Sequence, residues 1–153
     1  MAMGGLYYEQ FTVGMRFEHV LRRTVTEADN LIFSALTHNP AALHLDEEYM
    51  KGTEFGSRIV NSCFTLALMV GVSVADTTLG TTIANLGWDE VRFPKPVFPG
   101  DTLRTESVVH DMRPSGSRPG AGIVVFVHRC FNQRNEEVAA CRRTALMKRR
   151  TAA

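Results

Sequence analysis

The sequence is poor in the residues that build stapled or metal-held folds. It has three cysteines, Cys63, Cys130 and Cys141. Their odd number and the lack of Cys-x-x-Cys spacing point to neither a disulfide framework nor a zinc site. No two histidines stand one helical turn apart with a glutamate, so no metal is expected. Charge of one sign is also scarce. Seventeen Lys and Arg against sixteen Asp and Glu leave a net charge of +1, which argues against a nucleic-acid binder held by a strong positive field. The basic run Lys148-Arg149-Arg150 reads as a solvated tail. The longest apolar run, Cys63 to Val74, is too short and too interrupted to cross a bilayer. Met1 to Gly5 lack the basic-then-apolar pattern of a secretion signal, so a cytoplasmic location without a membrane partner is expected. Gly116 to Gly122 is rich in Gly and Pro but lacks the Lys-Ser/Thr ending of a phosphate loop.

Hydrophobic residues make up 44% of 153 residues, enough to bury a core. Without a repeat or linker, residues 1–153 read as one domain. Phe17 to Thr26 is rich in β-branched residues and reads as a strand. Thr26, with Glu27 and Asp29 behind it, starts a helix in which Leu31, Ile32, Ala35 and Leu36 form an apolar stripe. Asn39-Pro40 ends it near Thr37. A loop then runs from His38 to about Arg58, with a helical turn at Asp46 to Met50. Asn61-Ser62 caps a second helix, extending from about Ser62 to Ala75. This helix is apolar nearly all round, so it must be covered on most sides, and Cys63 reads as a small core residue. Strands follow at Thr81 to Phe93, Asp101 to Met112, Ile123 to Asn132 and Val138 to Met147. The order predicts an α+β fold, an antiparallel sheet wrapped around a central buried helix.

Polar groups concentrate in Leu36-Thr37-His38-Asn39-Pro40-Ala41-Ala42-Leu43-His44-Leu45-Asp46, a loop between two helices, where scaffolds place functional side chains. On spacing alone, His44 reads equally well as a functional residue and as a loop or core histidine. His38 could act as a second base or sit exposed, and His19, His110 and His128 lie on strands and read as structural or surface residues.

Three blocks resemble the MaoC-like, (R)-specific enoyl-CoA hydratase family, a hotdog fold. Leu43-His44-Leu45-Asp46 matches the second half of the motif Ser-Gly-Asp-x-Asn-Pro-Leu-His-x-Asp. Arg58-Ile59-Val60-Asn61-Ser62 stands where the family has Ile-Val-His-Gly at the start of the central helix. Val91 to Leu103 is similar to Arg-Phe-x-x-Pro-Val-x-x-Gly-Asp. The resemblance implies a hydratase or dehydratase acting on an acyl-CoA thioester, with coenzyme A as part of the substrate and no separate cofactor. It also implies a mechanism in which an Asp and a His flank a water that adds to the β-carbon. Backbone N–H groups at the helix start receive the charge on the thioester oxygen. In this sequence the histidine maps to His44 and the oxyanion donor to Ser62, with Asn61 beside it.

The motif is broken at one place. Counting back from His44, Asn39 stands where the family has its catalytic Asp. An amide is not a base, but it can orient a water. Either His44 is the sole base, or the activity is altered or absent. A neutral Asn39 also removes the repulsion that an Asp would exert on a second substrate carboxylate, roughly 4 kcal/mol at about 4 Å and an effective dielectric near 20. That suits a methyl-branched or dicarboxylic thioester of the mesaconyl or itaconyl type, with Arg58 or Arg92 as its partner. Lys95, Arg113 and Arg118 are candidates for the CoA phosphates. Since the family pairs two hotdogs, at least a homodimer is expected. Two other readings stay open. One is an acyl-CoA thioesterase, disfavoured because no Asp or Glu lies between Phe55 and Ala75. The other is a non-catalytic acyl-CoA-binding module that has lost the Asp.

Overall fold

The computed structural model describes residues 4–150. β1 (Arg16–Thr24) leads into α1 (Glu27–Leu36). Two short helices, α2 (Ala42–Leu45) and α3 (Glu47–Lys51), lie in the connection to α4 (Ser62–Thr77), and β2 (Thr82–Arg92), β3 (Thr102–Pro114), β4 (Ala121–Phe131) and β5 (Glu137–Lys148) complete the chain. The strands form one antiparallel sheet in the order β1-β3-β4-β5-β2. This is the α+β arrangement expected from the hydrophobic pattern. The turn expected at Asp46 to Met50 is α3, but α2, which carries His44, was not foreseen.

Local signals act as their chemistry dictates. Thr26 and Asp29 form a reciprocal capping box at the start of α1, with Asp29 N–H donating to Thr26 Oγ1 (3.2 Å) and Thr26 N–H to Asp29 Oδ2 (2.8 Å). The helix stops at Thr37, and His38 turns the chain with φ 53°. The β3–β4 loop falls on the Gly/Pro-rich segment, between Pro114 and Ala121.

Two expectations about packing are corrected. The central helix is covered by the sheet on one side only. Thr65, Met69, Val72, Ser73 and Thr77 are buried, whereas Cys63, Ala67 and Gly71 face outward. A single five-stranded sheet curves round only one face of a helix, so the rest of this apolar surface is left open. Cys63 is therefore not a core residue. The apolar stripe of α1 also points away from the core. Leu31, Ile32 and Leu36 are exposed, and the buried residues are the polar Asn30 and Ser34.

The sheet's inner face carries two apolar clusters. One joins Met69 to Leu103, Cys130 and Cys141, with Leu68 partly buried against it. The other joins Phe11, Val109, Val124, Phe126 and Met147. Burial pushes the Cys130 thiol up to about 12 and the Cys141 thiol to about 11, which keeps both as inert core residues. A row of polar groups crosses the same face. Asp76 bonds His19 Nδ1 (2.7 Å), His19 Nε2 bonds Ser107 Oγ (2.7 Å), and Ser107 Oγ bonds His128 Nδ1 (2.6 Å). On the neighbouring strand the buried Arg143 donates to Asn85 (2.7 Å). His19 and His128 are thus structural, as expected, while His110 is at the surface. The basic tail is not merely solvated, since Arg149 Nε bonds Glu9 (2.8 Å).

Candidate active site

The stretch entering α4 faces the proline-rich segment after β2 across a cavity, and α2 packs against that same stretch through Ile59. In α4, Asn61 is the N-cap. Its side-chain oxygen accepts the Cys63 N–H (3.0 Å). Among the described residues the neighbouring Ser62 N–H meets no acceptor, and Ser62 is exposed at the mouth of a cavity. That cavity, about 320 Å³, is lined by Ile59, Val60, Ser62 and Thr65 on one side, and by Phe93, Lys95 and Val97 on the other. Its walls are largely apolar, and a helix start with a free N–H opens into it. An oxyanion is stabilised by such a donor, because the backbone dipoles of α4 add to it.

His44 is buried, with 7% of its surface exposed. Its Nδ1 lies 2.9 Å from the Ile59 carbonyl oxygen. A carbonyl only accepts, so Nδ1 carries the hydrogen, and in that tautomer the ring's lone pair lies at Nε2. Among the described residues Nε2 has no hydrogen-bond partner, so it is free to take a proton. Ile59, which fixes the ring, stands three residues before Ser62 and lines the same cavity. The structure therefore brings His44, Asn61 and Ser62 into one neighbourhood.

Asn39 has a backbone partner that the sequence did not suggest. Its side-chain oxygen accepts the Ala41 N–H (3.0 Å) and closes a turn into α2. The oxygen expected to accept from a water is thus engaged by backbone, and the amide Nδ2 is the group left without a partner among the described residues. An Asp at this position would accept the same N–H.

The basic candidates divide by location. Arg58 is held by two carboxylates, with Nη2 on Glu27 (2.7 Å) and Nε on Glu47 (2.9 Å), and Arg58 keeps the Glu47 carboxyl below its ordinary range. Its charge is already answered, so it is a poor partner for a substrate carboxylate. Arg92 ends β2 beside Phe93, is exposed, and forms no ion pair among the described residues. Lys95 lines the cavity, and its Nζ reaches Glu136 (3.3 Å). Arg113 and Arg118 lie at the opposite end of the sheet from Ser62. β4 starts at that end and finishes at Phe131, one residue past Cys130, which packs in the same cluster as Val60 just before α4, so the separation is roughly 30 Å at about 3.3 Å per residue. Within one chain Arg118 is not part of this site.

One residue of the site escaped the sequence reading. Asn30, fully buried on α1, donates from Nδ2 to the carbonyls of both His44 (3.2 Å) and Ile59 (3.1 Å). Its oxygen accepts the Asn61 N–H (2.9 Å). No signal in the sequence pointed to it, because the apolar stripe of α1 places Asn30 on the opposite face of the helix.

A long helix laid against one five-stranded antiparallel sheet is the architecture of a hotdog domain. A family model for the MaoC like domain matches residues 9–125, and the chain belongs to that family. It is 33% identical over 97% of its length to a mesaconyl-CoA hydratase of Cereibacter sphaeroides, of which it covers 43%. The chain spans only about two fifths of the length of the first curated relatives it matches. Among solved structures, a MaoC-like dehydratase from Rhodospirillum rubrum superposes with a TM-score of 0.84 at 31% identity, covering 97% of this chain and all of that one. A Mycobacterium tuberculosis protein with a double hotdog fold gives a TM-score of 0.87 at 20% identity, covering all of this chain and 47% of that one. This last likeness speaks for the fold alone.

Proposed function

We propose that the protein is a hydro-lyase that adds water to, or removes it from, an enoyl-CoA or 3-hydroxyacyl-CoA thioester, with His44 as the base. The observation that carries this reading is the His44 ring, fixed through Nδ1 on the carbonyl of Ile59 with Nε2 unpartnered among the described residues, Ile59 lying on the segment that leads three residues later to the free N–H of Ser62. In hydration, Nε2 takes a proton from a water as the water oxygen bonds to the β-carbon. Charge moves to the thioester oxygen, where the Ser62 N–H receives it. The α-carbon then takes up a proton from the protonated His44 Nε2, which restores the neutral ring, and dehydration reverses these steps. Asn39 orients the water through its amide Nδ2 hydrogens, since its oxygen already holds Ala41.

The likeness to a mesaconyl-CoA hydratase supports a methyl-branched dicarboxylic acyl group. With Arg58 committed to Glu27 and Glu47, Arg92 is the better partner for the second carboxylate, and Lys95 for a CoA phosphate. Coenzyme A belongs to the substrate, and no other cofactor enters the scheme. The second copy in a homodimer would cover the open face of α4, in keeping with a relative more than twice as long and with a neighbour that has two hotdogs in one chain. The test is a spectrophotometric assay of thioester hydration, run with mesaconyl-CoA and crotonyl-CoA, with free thiol followed in parallel. Thiol release without hydration would favour a thioesterase. Binding without either reaction would favour a non-catalytic module.

A further inference from the structure

We infer that Asn30 is a positioning residue of this site, locking the base and the oxyanion donor to each other from behind. This rests on the role proposed above for His44 and Ser62. Three groups converge on one buried amide. Its Nδ2 donates to the carbonyl of His44 itself and to the Ile59 carbonyl, and its oxygen takes the N–H of Asn61, the residue that caps α4. The Ile59 oxygen is thus shared: one lone pair receives His44 Nδ1–H and the other receives Asn30. A second link closes this small frame. Ile59 N–H donates to the Leu43 carbonyl (3.1 Å), tying the stretch before α4 to α2 directly. Asn30 uses both amide hydrogens and its oxygen, and 0% of its surface is exposed.

The chemistry requires an amide. A carboxylate could still accept from Asn61, but its second oxygen would face two carbonyl oxygens. A leucine would leave three buried backbone groups without their partner. The consequence for catalysis is geometric. The Nε2 lone pair and the Ser62 N–H must meet the two ends of one substrate, and a base displaced by about 1 Å loses much of its rate. Holding both elements from α1 keeps their separation fixed while the cavity fills and empties.

The test compares Asn30→Asp with Asn30→Ala, the latter small enough for water to reach the vacated backbone groups. Met147→Ala, in the apolar cluster at the far end of the sheet, sets how far turnover follows stability alone. With mesaconyl-CoA or crotonyl-CoA, whichever wild type hydrates faster, both Asn30 variants should lose about ten- to a hundredfold in kcat, with KM within about twofold. Met147→Ala should keep wild-type kcat. Ring nitrogen NMR supplies a readout that mere destabilisation does not move. Wild-type His44 should show the Nδ1–H tautomer, and the Asn30 variants a mixture of tautomers. If His44→Ala abolishes hydration but both Asn30 variants retain wild-type kcat and the Nδ1–H signature, the inference is overturned while the site assignment stands. If His44→Ala keeps full activity, the site assignment itself fails.

Discussion

Asn39 shows how one atom type alters a site without altering its shape. Its amide closes the turn into α2 just as a carboxylate would, so the backbone that carries His44 is retained while one basic group is lost. Asn39→Asp should therefore fold normally and raise the hydration rate of simple enoyl-CoAs by restoring a carboxylate. Asn39→Ala should cost less than loss of His44, because other groups can hold the water. Relative rates on crotonyl-CoA check both. His128 offers a residue-scale prediction about stability. Burial is the main cause that holds it down to about 3, with the nearby Arg143 charge adding to the effect. Since its pKa is about 6.5 in the unfolded chain, the unfolded state binds the proton first. Its contribution is fully present above pH 6.5 and is lost as pH falls towards 3, at about 1.4 kcal/mol per pH unit. His128→Gln should flatten that part of the stability–pH curve in denaturant melts across pH 4–7. The reach of sequence reasoning is also visible here. His44 was legible because a motif carries it. Asn30 was not, because an asparagine amid Leu31, Ile32 and Phe33 looks like an interruption until the three backbone groups it satisfies are known.

Among the elements, the strands were the most legible. Alternation and turn residues placed β2 to β5 to within two residues at either end, because a strand's period of two survives whichever face is buried. The helices were legible in extent but not in orientation. An apolar stripe specifies that a surface is covered, not by what. In α1 the stripe faces away from the chain's own core, and Asn30 and Ser34 face in. In α4 the sheet covers one side only. Packing within one chain should therefore differ round the α4 helix. Met69→Ala, at 0% exposure, should cost about 2–5 kcal/mol in denaturant melts. Ala67→Ser, on the open side, should cost under about 0.5 kcal/mol in a monomeric state.

For the whole molecule, the open side of α4 and the two unlike sheet edges bear on assembly. β1 is irregular between Glu18 and Arg22 and carries Arg16, Glu18, Arg22 and Arg23, a charged and broken edge that discourages pairing. β2 presents Leu86, Trp88 and Val91, each at least 39% exposed. A homodimer joined along β2 should sediment at about twice the 17.0 kDa of one chain at micromolar concentration, and Leu86→Lys with Trp88→Glu should return it to monomer. Assembly was the least legible scale, because a sequence shows that apolar surface is in excess without showing which edge or face meets its partner. The proposed chemistry of the molecule depends on one imidazole, that of His44. The most direct measurement is the hydration rate of His44→Ala against wild type, on mesaconyl-CoA and crotonyl-CoA, with binding of a saturated acyl-CoA measured on the same samples. A fall in kcat of at least about a hundredfold with binding nearly unchanged is the predicted result. Full activity in His44→Ala would contradict it and leave Asn39 as the mark of a module that binds thioesters by another route.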